Sequence, residues 1–533
     1  MTLKSKMQLK KGTLIKKAPA PKDPWSIYPE LKGLDPRDFQ LPAQGLTPEQ
    51  HQAALDKFSN YLDKHQARYL GYQDNQQLDY AADLQPYLNC HINNIADPFV
   101  SGNLTTNTKI MERAVLDYYA DLWNANLPHN PRDPDSYWGY VLSMGSTEGN
   151  LYGLWNGRDY LAGKALIEDA SALEAVHHSP SPMRERFIYQ DAPERQASEN
   201  AYTPVAFFSG DSHYSIIKAM RILSIKTFYE LGQEKYPGEN PLDPGEKWPY
   251  EVPALEDGSL DIEALEKLVE FFAAKGYPIL ICFNYGTTFK GAYDNVEEAG
   301  KRLIPILKKY NLYERQVHGQ VRNGFWFHVD GALGASFMPF VEMAYNRGLI
   351  ERRGSNFDFR LSYVHSLVTS GHKWNGAPWP CGVYMTKVKF QLRPPRVEAY
   401  IASPDTTFAG SRNGFSSMLF WDYLAKNSYD AQIERVVRIQ KTIKYAIRQL
   451  RKLGEELKQD LWVEHTPLSL SIRFKRVNER MTFKYSLSGS NLWKDGKVRR
   501  YSNIFIMDHV TPEVIDDFIK DLRRDSYPFP SQS

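Results

Sequence analysis

Ser370-Gly371-His372-Lys373-Trp374 follows the largely apolar run Phe359-Arg-Leu-Ser-Tyr-Val-His-Ser-Leu-Val-Thr369, and this stretch decides how the chain is read. A lysine preceded by a histidine and a small hydroxyl residue, at the end of a strand-like run, fits an amine held ready to form a Schiff base with an aldehyde cofactor. Such an amine needs partners on neighbouring strand tips, and the flanking sequence supplies candidates.

From Trp138 onward apolar strand-like runs alternate with helical patterns, the signature of a mostly parallel sheet covered by helices on both faces. Tyr137-Trp-Gly-Tyr-Val-Leu-Ser143 reads as a strand, Gly145-Ser-Thr-Glu-Gly149 as a tight turn, and 150 to about 166 as the following helix. Backbone N–H groups at such a turn meet the positive end of the helix dipole, which makes Ser146 and Thr147 candidate phosphate donors or simply packing residues. Val205-Ala-Phe-Phe-Ser-Gly-Asp-Ser-His-Tyr-Ser-Ile-Ile-Lys218 is a strand, a turn and a helix start that presents His213 either as a cap or as a catalytic group. Pro278-Ile-Leu-Ile-Cys-Phe-Asn284 suits a buried parallel strand and empties into Tyr285-Gly-Thr-Thr288. Phe325-Trp-Phe-His-Val-Asp330 repeats the pattern with an acid at its tip. Alternation puts His328 and Asp330 on one side, and Ala332 is small enough to leave room for a flat ring. Asp330 also has the plainer reading of a strand-end cap.

Composition limits the alternatives. Lys+Arg 65 against Asp+Glu 63 leaves no overall field to favour nucleic acid or an anionic membrane. Cys90, Cys282 and Cys381 lie far apart without metal-ligand spacing, so the expectation is a reducing compartment, the cytoplasm, with no metal site. No run approaches the roughly 18 apolar residues of a spanning helix, and the expectation is a soluble protein.

Residues 1–25 read as a flexible basic tail and 26–105 as an N-terminal helical segment, with Thr47-Pro48-Glu49 opening an amphipathic helix to Leu62. Residues 106–395 form the expected large domain, interrupted by polar insertions at 176–204 and 232–258 that read as surface loops. Residues 396–533 hold a linking loop, a long amphipathic helix from Ala431 that ends at Gly454, and a small domain with strands near Leu468–Phe474 and Tyr501–Met507. Arg412, in Gly410-Ser-Arg-Asn-Gly414, is either a bidentate binder of a carboxylate or phosphate, or a solvated or ion-paired arginine.

Together these groups match the needs of pyridoxal 5'-phosphate. The chain resembles a group II pyridoxal-phosphate-dependent amino-acid decarboxylase, most similar to the branch of bacterial histidine decarboxylases and plant serine and histidine decarboxylases. The resemblance rests on Asn93-Asn-Ile-Ala-Asp-Pro-Phe99, Gly145-Ser-Thr-Glu-Gly-Asn-Leu-Tyr-Gly153, Ser212-His-Tyr-Ser-Ile-Ile-Lys218, Gly286-Thr-Thr288, His328-Val-Asp-Gly-Ala332, Ser370-Gly-His-Lys373, Pro380-Cys-Gly382 and Gly410-Ser-Arg-Asn-Gly414. It implies an α/β fold of type I, with a mainly parallel seven-stranded sheet, a small α+β C-terminal domain and a homodimer. By motif position Lys373 is the Schiff-base lysine, Asp330 the partner of the pyridine nitrogen, Ala332 the residue under the ring and His213 the group stacked over it. Ser146, Thr147, Ser370 and His372 would hold the phosphate, Thr288 would lie near the ring oxygen or substrate carboxylate, and Asn93 and Ser411 would shape the substrate pocket. The implied activity is decarboxylation of an L-amino acid, histidine or a related aromatic or polar one, to the amine and carbon dioxide. The alternatives are another fold-type-I reaction (transamination, aldol cleavage or decarboxylation-dependent oxidation) and a non-catalytic cofactor-binding protein. Ala96 stands where glycine is expected, Gly331 where alanine is common, and Trp374 where that branch has another aromatic.

Overall fold

A computed structural model describes residues 33–168, 187–190, 198–391, 397–494 and 496–530. The basic tail and most of the 176–204 insertion lie outside the described residues. The described residues fall into two compact units, one up to residue 68 and the other from residue 69 onward. In the first, helix α1 (Pro48–Gln66) starts at a capping box in which Thr47 Oγ1 accepts from Gln50 N and Gln50 Oε1 accepts from Thr47 N.

The second unit is built on a seven-stranded sheet. Its strands are β1 (Tyr137–Leu142), β2 (Val205–Phe207), β3 (Lys226–Thr227), β4 (Ile279–Asn284), β5 (Phe325–Asp330), β6 (Ser366–Ser370) and β7 (Gly382–Lys387). They lie in the order β1-β7-β6-β5-β4-β2-β3. Only β7 runs against its neighbours, pairing antiparallel with β1 and β6. The remaining pairs are parallel, with Asn284 beside Asp330 and Val368 beside Asp330. Strands β1, β4 and β5 are buried along their whole length, as continuous apolar runs in a doubly covered sheet require.

Helix α2 (Lys109–Leu122) precedes the sheet, and helix α3 (Ser146–Leu161) crosses it at close range. α3 begins four residues before the expected position. Gly145, at φ 70, is its N-cap, and Gly149 lies inside the helix. Gly149, Gly153 and Gly157 repeat at one-turn spacing along the face that meets the sheet. A Cβ at Gly149 would come within 2.3 Å of Val368, one at Gly153 within 2.8 Å of His328 Nδ1, and one at Gly157 within 2.8 Å of Trp326. The glycine read as a turn signal is therefore a packing device that lets the helix backbone approach the strands.

Helix α4 (Tyr214–Leu223) follows β2, and α5 (Phe228–Lys235) follows β3. The insertion at 232–258 is not simply a surface loop. Trp248 and Val252 are buried in the main core, and Trp248 Nε1 donates to Tyr236 O at 2.9 Å. Within 176–204, Phe187–Gln190 pairs with Ala165–Glu168 as a two-stranded ribbon.

Helices α6 (Gly414–Lys426) and α7 (Tyr429–Glu456) lead to the C-terminal sheet of β8 (Ser471–Lys475), β9 (Ser488–Lys494) and β10 (Lys497–Phe505), with helix α8 (Pro512–Arg524) after it. α7 runs through Gly454 to Glu456. The buried Gly454 backbone lies so close to Gln459 O that a Cβ would meet it at 2.8 Å, so close packing, not helix termination, accounts for this glycine. Among the described residues no helix is long and apolar enough to cross a membrane.

Candidate active site

The carboxyl ends of the parallel strands converge on one cavity of about 230 Å³, where ligands bind in open α/β sheets. Ser146, Thr147, His213, Thr288, Asp330, Ala332, Ser370, His372 and Lys373 all line it. The structure thus brings nine of the expected residues to one wall-to-wall space from five separate strand tips.

Lys373 follows β6 directly. Its Nζ donates to Gln73 Oε1 at 2.8 Å, and burial lowers its proton affinity, opposed by the negative fields of Asp330 and Asp74. Gln73 in turn donates through Nε2 to Thr288 O at 3.2 Å. The segment carrying Gln73 is clamped at both ends. Phe505 N donates to Leu70 O on the C-terminal sheet, and Asn75 N donates to Lys373 O. Gln73 was not legible as a site residue, because Gly71-Tyr-Gln-Asp-Asn-Gln-Gln77 has no periodicity and no motif spacing.

Asp330 ends β5. Its Oδ1 accepts from Ala332 N at 3.1 Å and its Oδ2 from Asn150 Nδ2 at 2.8 Å. His213 caps α4, its Nδ1 lying 2.8 Å from Ser215 Oγ and accepting from Ser215 N at 3.3 Å. The cap and the cavity-lining position expected as alternatives are therefore occupied by the same ring. Burial lowers the proton affinity of His213, as it does that of His372.

On the opposite side Ser370 Oγ accepts from Ser146 N at 3.1 Å and lies 2.7 Å from Ser146 Oγ. Gly145, the N-cap of α3, has no side chain to cap the first turn. His372 Nδ1 is buried without a hydrogen-bond partner. Two hydroxyls, a helix N-terminus whose N-cap is a glycine and an orphaned imidazole nitrogen form a donor set suited to a phosphate, so these residues fit the phosphate end of pyridoxal phosphate.

Asn93 and Ser411 are brought together, but not to this wall. Asn93 Nδ2 donates to Ser411 Oγ at 3.1 Å and Asn93 Oδ1 accepts from Arg412 N at 3.0 Å, and neither side chain is among the described residues lining the cavity. Arg412 takes the ion-paired alternative. Its guanidinium donates to the buried Glu112 carboxylate and to Ala96 O. Ala96 sits at φ 58, in the left-handed region where glycine was expected. Trp374 is buried, donates to Gln432 Oε1 at 3.0 Å and is not among the described residues lining the cavity.

The pyridoxal-dependent decarboxylase conserved domain matches residues 181–463. The chain belongs to that family. This decarboxylase is similar to L-methionine decarboxylase from Streptomyces sp. 590, with 43% identity, a TM-score of 0.84, and coverage of 92% of this chain and 98% of the other. It is also similar to a histidine decarboxylase of Solanum lycopersicum, 27% identical over 88% of each chain. Serine decarboxylase 2 of Oryza sativa subsp. japonica is 26% identical, covering 93% of this decarboxylase and 84% of the relative. The enzyme is a pyridoxal-phosphate-dependent amino-acid decarboxylase of fold type I.

Proposed function

We propose that this decarboxylase converts an apolar, methionine-like L-amino acid to the corresponding amine and carbon dioxide. The observation that carries the reading is the 43% identity to the Streptomyces methionine decarboxylase over 92% of the chain, against 26–28% for histidine and serine decarboxylases. A second reading, histidine or another polar or aromatic amino acid, is favoured by those plant and bacterial relatives.

When bound, pyridoxal phosphate supplies an aldehyde for amine condensation and a conjugated ring that takes up the electrons released as the carboxylate departs. The residues of this chain divide the remaining work. Lys373 offers an amine whose lowered proton affinity leaves more of it neutral and nucleophilic. Asp330 presents a carboxylate that would hold a ring-nitrogen proton, His213 and Ala332 would bound the two faces of a flat ring, and Thr288 would hold a ring oxygen or the substrate carboxylate. Ser146, Thr147, Ser370 and His372 would hold the phosphate.

We also assign the large cofactor-binding domain to 106–395, the linker and small domain to 396–533, a cytoplasmic setting, and a homodimer. The test is incubation of the purified protein and pyridoxal phosphate with methionine, histidine, serine and the aromatic amino acids, following carbon dioxide and amine. Methionine is expected to give the highest kcat/KM. A higher value for histidine or serine overturns the substrate reading.

A further inference from the structure

Asn150 stands at the crossing of two buried hydrogen-bond chains that connect opposite sides of the cavity. Asp330 Oδ2 faces the Asn150 amide at 2.8 Å, and a carboxylate needs a donor, so Nδ2 must point there and Oδ1 must point away. Oδ1 then lies 2.9 Å from His328 Nε2, which must carry a proton to donate to it. His328 is fully buried and held neutral, so its Nδ1 is an acceptor, 2.8 Å from Ser366 Oγ. Ser366 Oγ accepts in turn from Trp326 Nε1 at 3.2 Å. Every link from Trp326 through Ser366, His328 and Asn150 donates in the direction of Asp330, and aligned bonds of this kind polarise one another.

The second Nδ2 hydrogen of the same amide donates to Ser215 Oγ at 3.1 Å. Ser215 N, which can only donate, points at His213 Nδ1, so that nitrogen is an acceptor and the Ser215 hydroxyl donates to it as well. The His213 ring proton is thereby placed on Nε2. One amide therefore holds the carboxylate expected at the ring edge and, on its other hydrogen, the Ser215 hydroxyl that bonds the imidazole expected on the ring face. The backbone makes room for the arrangement, since a Cβ on Gly153 would come within 2.8 Å of His328 Nδ1.

We propose that Asn150 is a positioning residue that sets, through its single amide, the orientation of Asp330 and the tautomer of His328, and that holds the Ser215 hydroxyl beside His213. The inference rests on the cofactor reading above. Substituting Asn150 by Asp places an acceptor against Asp330 and reverses the chain; Asn150→Ala deletes both branches; Ser366→Ala removes a link two positions away from Asp330.

The test uses the full-length protein and three readouts: the dissociation constant for pyridoxal phosphate from fluorescence quenching of apoprotein, the visible spectrum of the bound cofactor, and kcat at saturating cofactor. Asn150→Ala is expected to weaken cofactor binding about tenfold to a hundredfold, the size of a lost hydrogen bond to a charged group. Its bound-cofactor spectrum and kcat should change even when cofactor is saturating, and Asn150→Asp should be worse on all three. Ser366→Ala should shift the spectrum in the same direction by less, and it decides the matter if the Asn150 variants do not fold. Wild-type affinity and spectrum in the Asn150 variants, or an unaltered spectrum in Ser366→Ala when only that variant folds, overturns the proposal. Failure of the wild-type protein itself to bind pyridoxal phosphate would instead overturn the cofactor reading.

Discussion

Two buried carboxylates, Glu112 on α2 and Asp330 at the tip of β5, meet opposite fates. Glu112 is wholly enclosed and faces the Arg412 guanidinium, with Asn94 Nδ2 and Val141 N donating to its two oxygens. Its charge is cancelled inside the protein. Asp330 accepts from Asn150 and Ala332, both neutral, and the cation whose field it shares is Lys373, the amine proposed to react. A buried charge must be matched. Glu112 is matched by the fold, and its pair ties the loop around Arg412 to α2. Asp330 keeps an unmatched side toward the cavity, which is what a site for a protonated ring nitrogen requires.

The widest separation between the two regions is expected from Lys373→Ala, which should lower decarboxylation by about a thousandfold or more and abolish the visible absorbance of bound cofactor. Melting of the apoprotein should stay near that of wild type, and retained turnover would remove Lys373 from the chemistry. Asp330→Asn should follow, lowering kcat/KM by about a hundredfold with little loss of stability. The reverse pattern is expected at the other carboxylate. Arg412→Met strands the Glu112 charge and should cost about 3–5 kcal/mol of stability in denaturant unfolding, while the folded fraction keeps its turnover. If both variants lost stability alike, the contrast between the two regions would disappear.

A third way to sharpen the comparison is pH. Burial pushes the His328 imidazole down to about 4, and an unfolded histidine titrates near 6.5. Between these values the unfolded chain binds the extra proton. The contribution of His328 is therefore fully present above about pH 6.5 and lost as pH falls to about 4, at a limiting slope of about 1.4 kcal/mol per pH unit. Unfolding free energies of His328→Gln should lack that slope relative to wild type, and parallel curves would contradict the neutral, buried imidazole. The smallest effect is expected at Trp374→Phe, which loses one indole donor to Gln432 and about 1 kcal/mol of stability without altering the ranking of amino-acid substrates. A changed ranking would return Trp374 to the substrate pocket.

Much of the site was legible because parallel strands announce their carboxyl ends. Apolar runs that stop at Asp330, at Ser370 before Lys373, and at Asn284 before the turn to Thr288 each place a polar group on one edge of the sheet. Short-range patterns fail where a partner far along the chain decides. Asn150 looked like an ordinary helix residue, and only the register of β5 beside β6 brings His328, Ser366 and Asp330 to it. Gln73 reaches Lys373 across 300 positions, a distance no local spacing encodes. Trp248 sits among prolines and charges that read as loop, yet it fills space against Gly232, where a Cβ would come within 2.3 Å of the indole. The strand β9 was missed although Asp-Gly separates it in sequence from β10, a common two-residue hairpin signal.

The most direct measurement is the stoichiometry of products when the purified protein, loaded with pyridoxal phosphate, is given L-methionine. One carbon dioxide and one 3-methylthiopropylamine per methionine consumed, with no aldehyde, is the predicted result. Carbon dioxide accompanied by aldehyde and ammonia, or no carbon dioxide from methionine or any other amino acid in the panel, would contradict it.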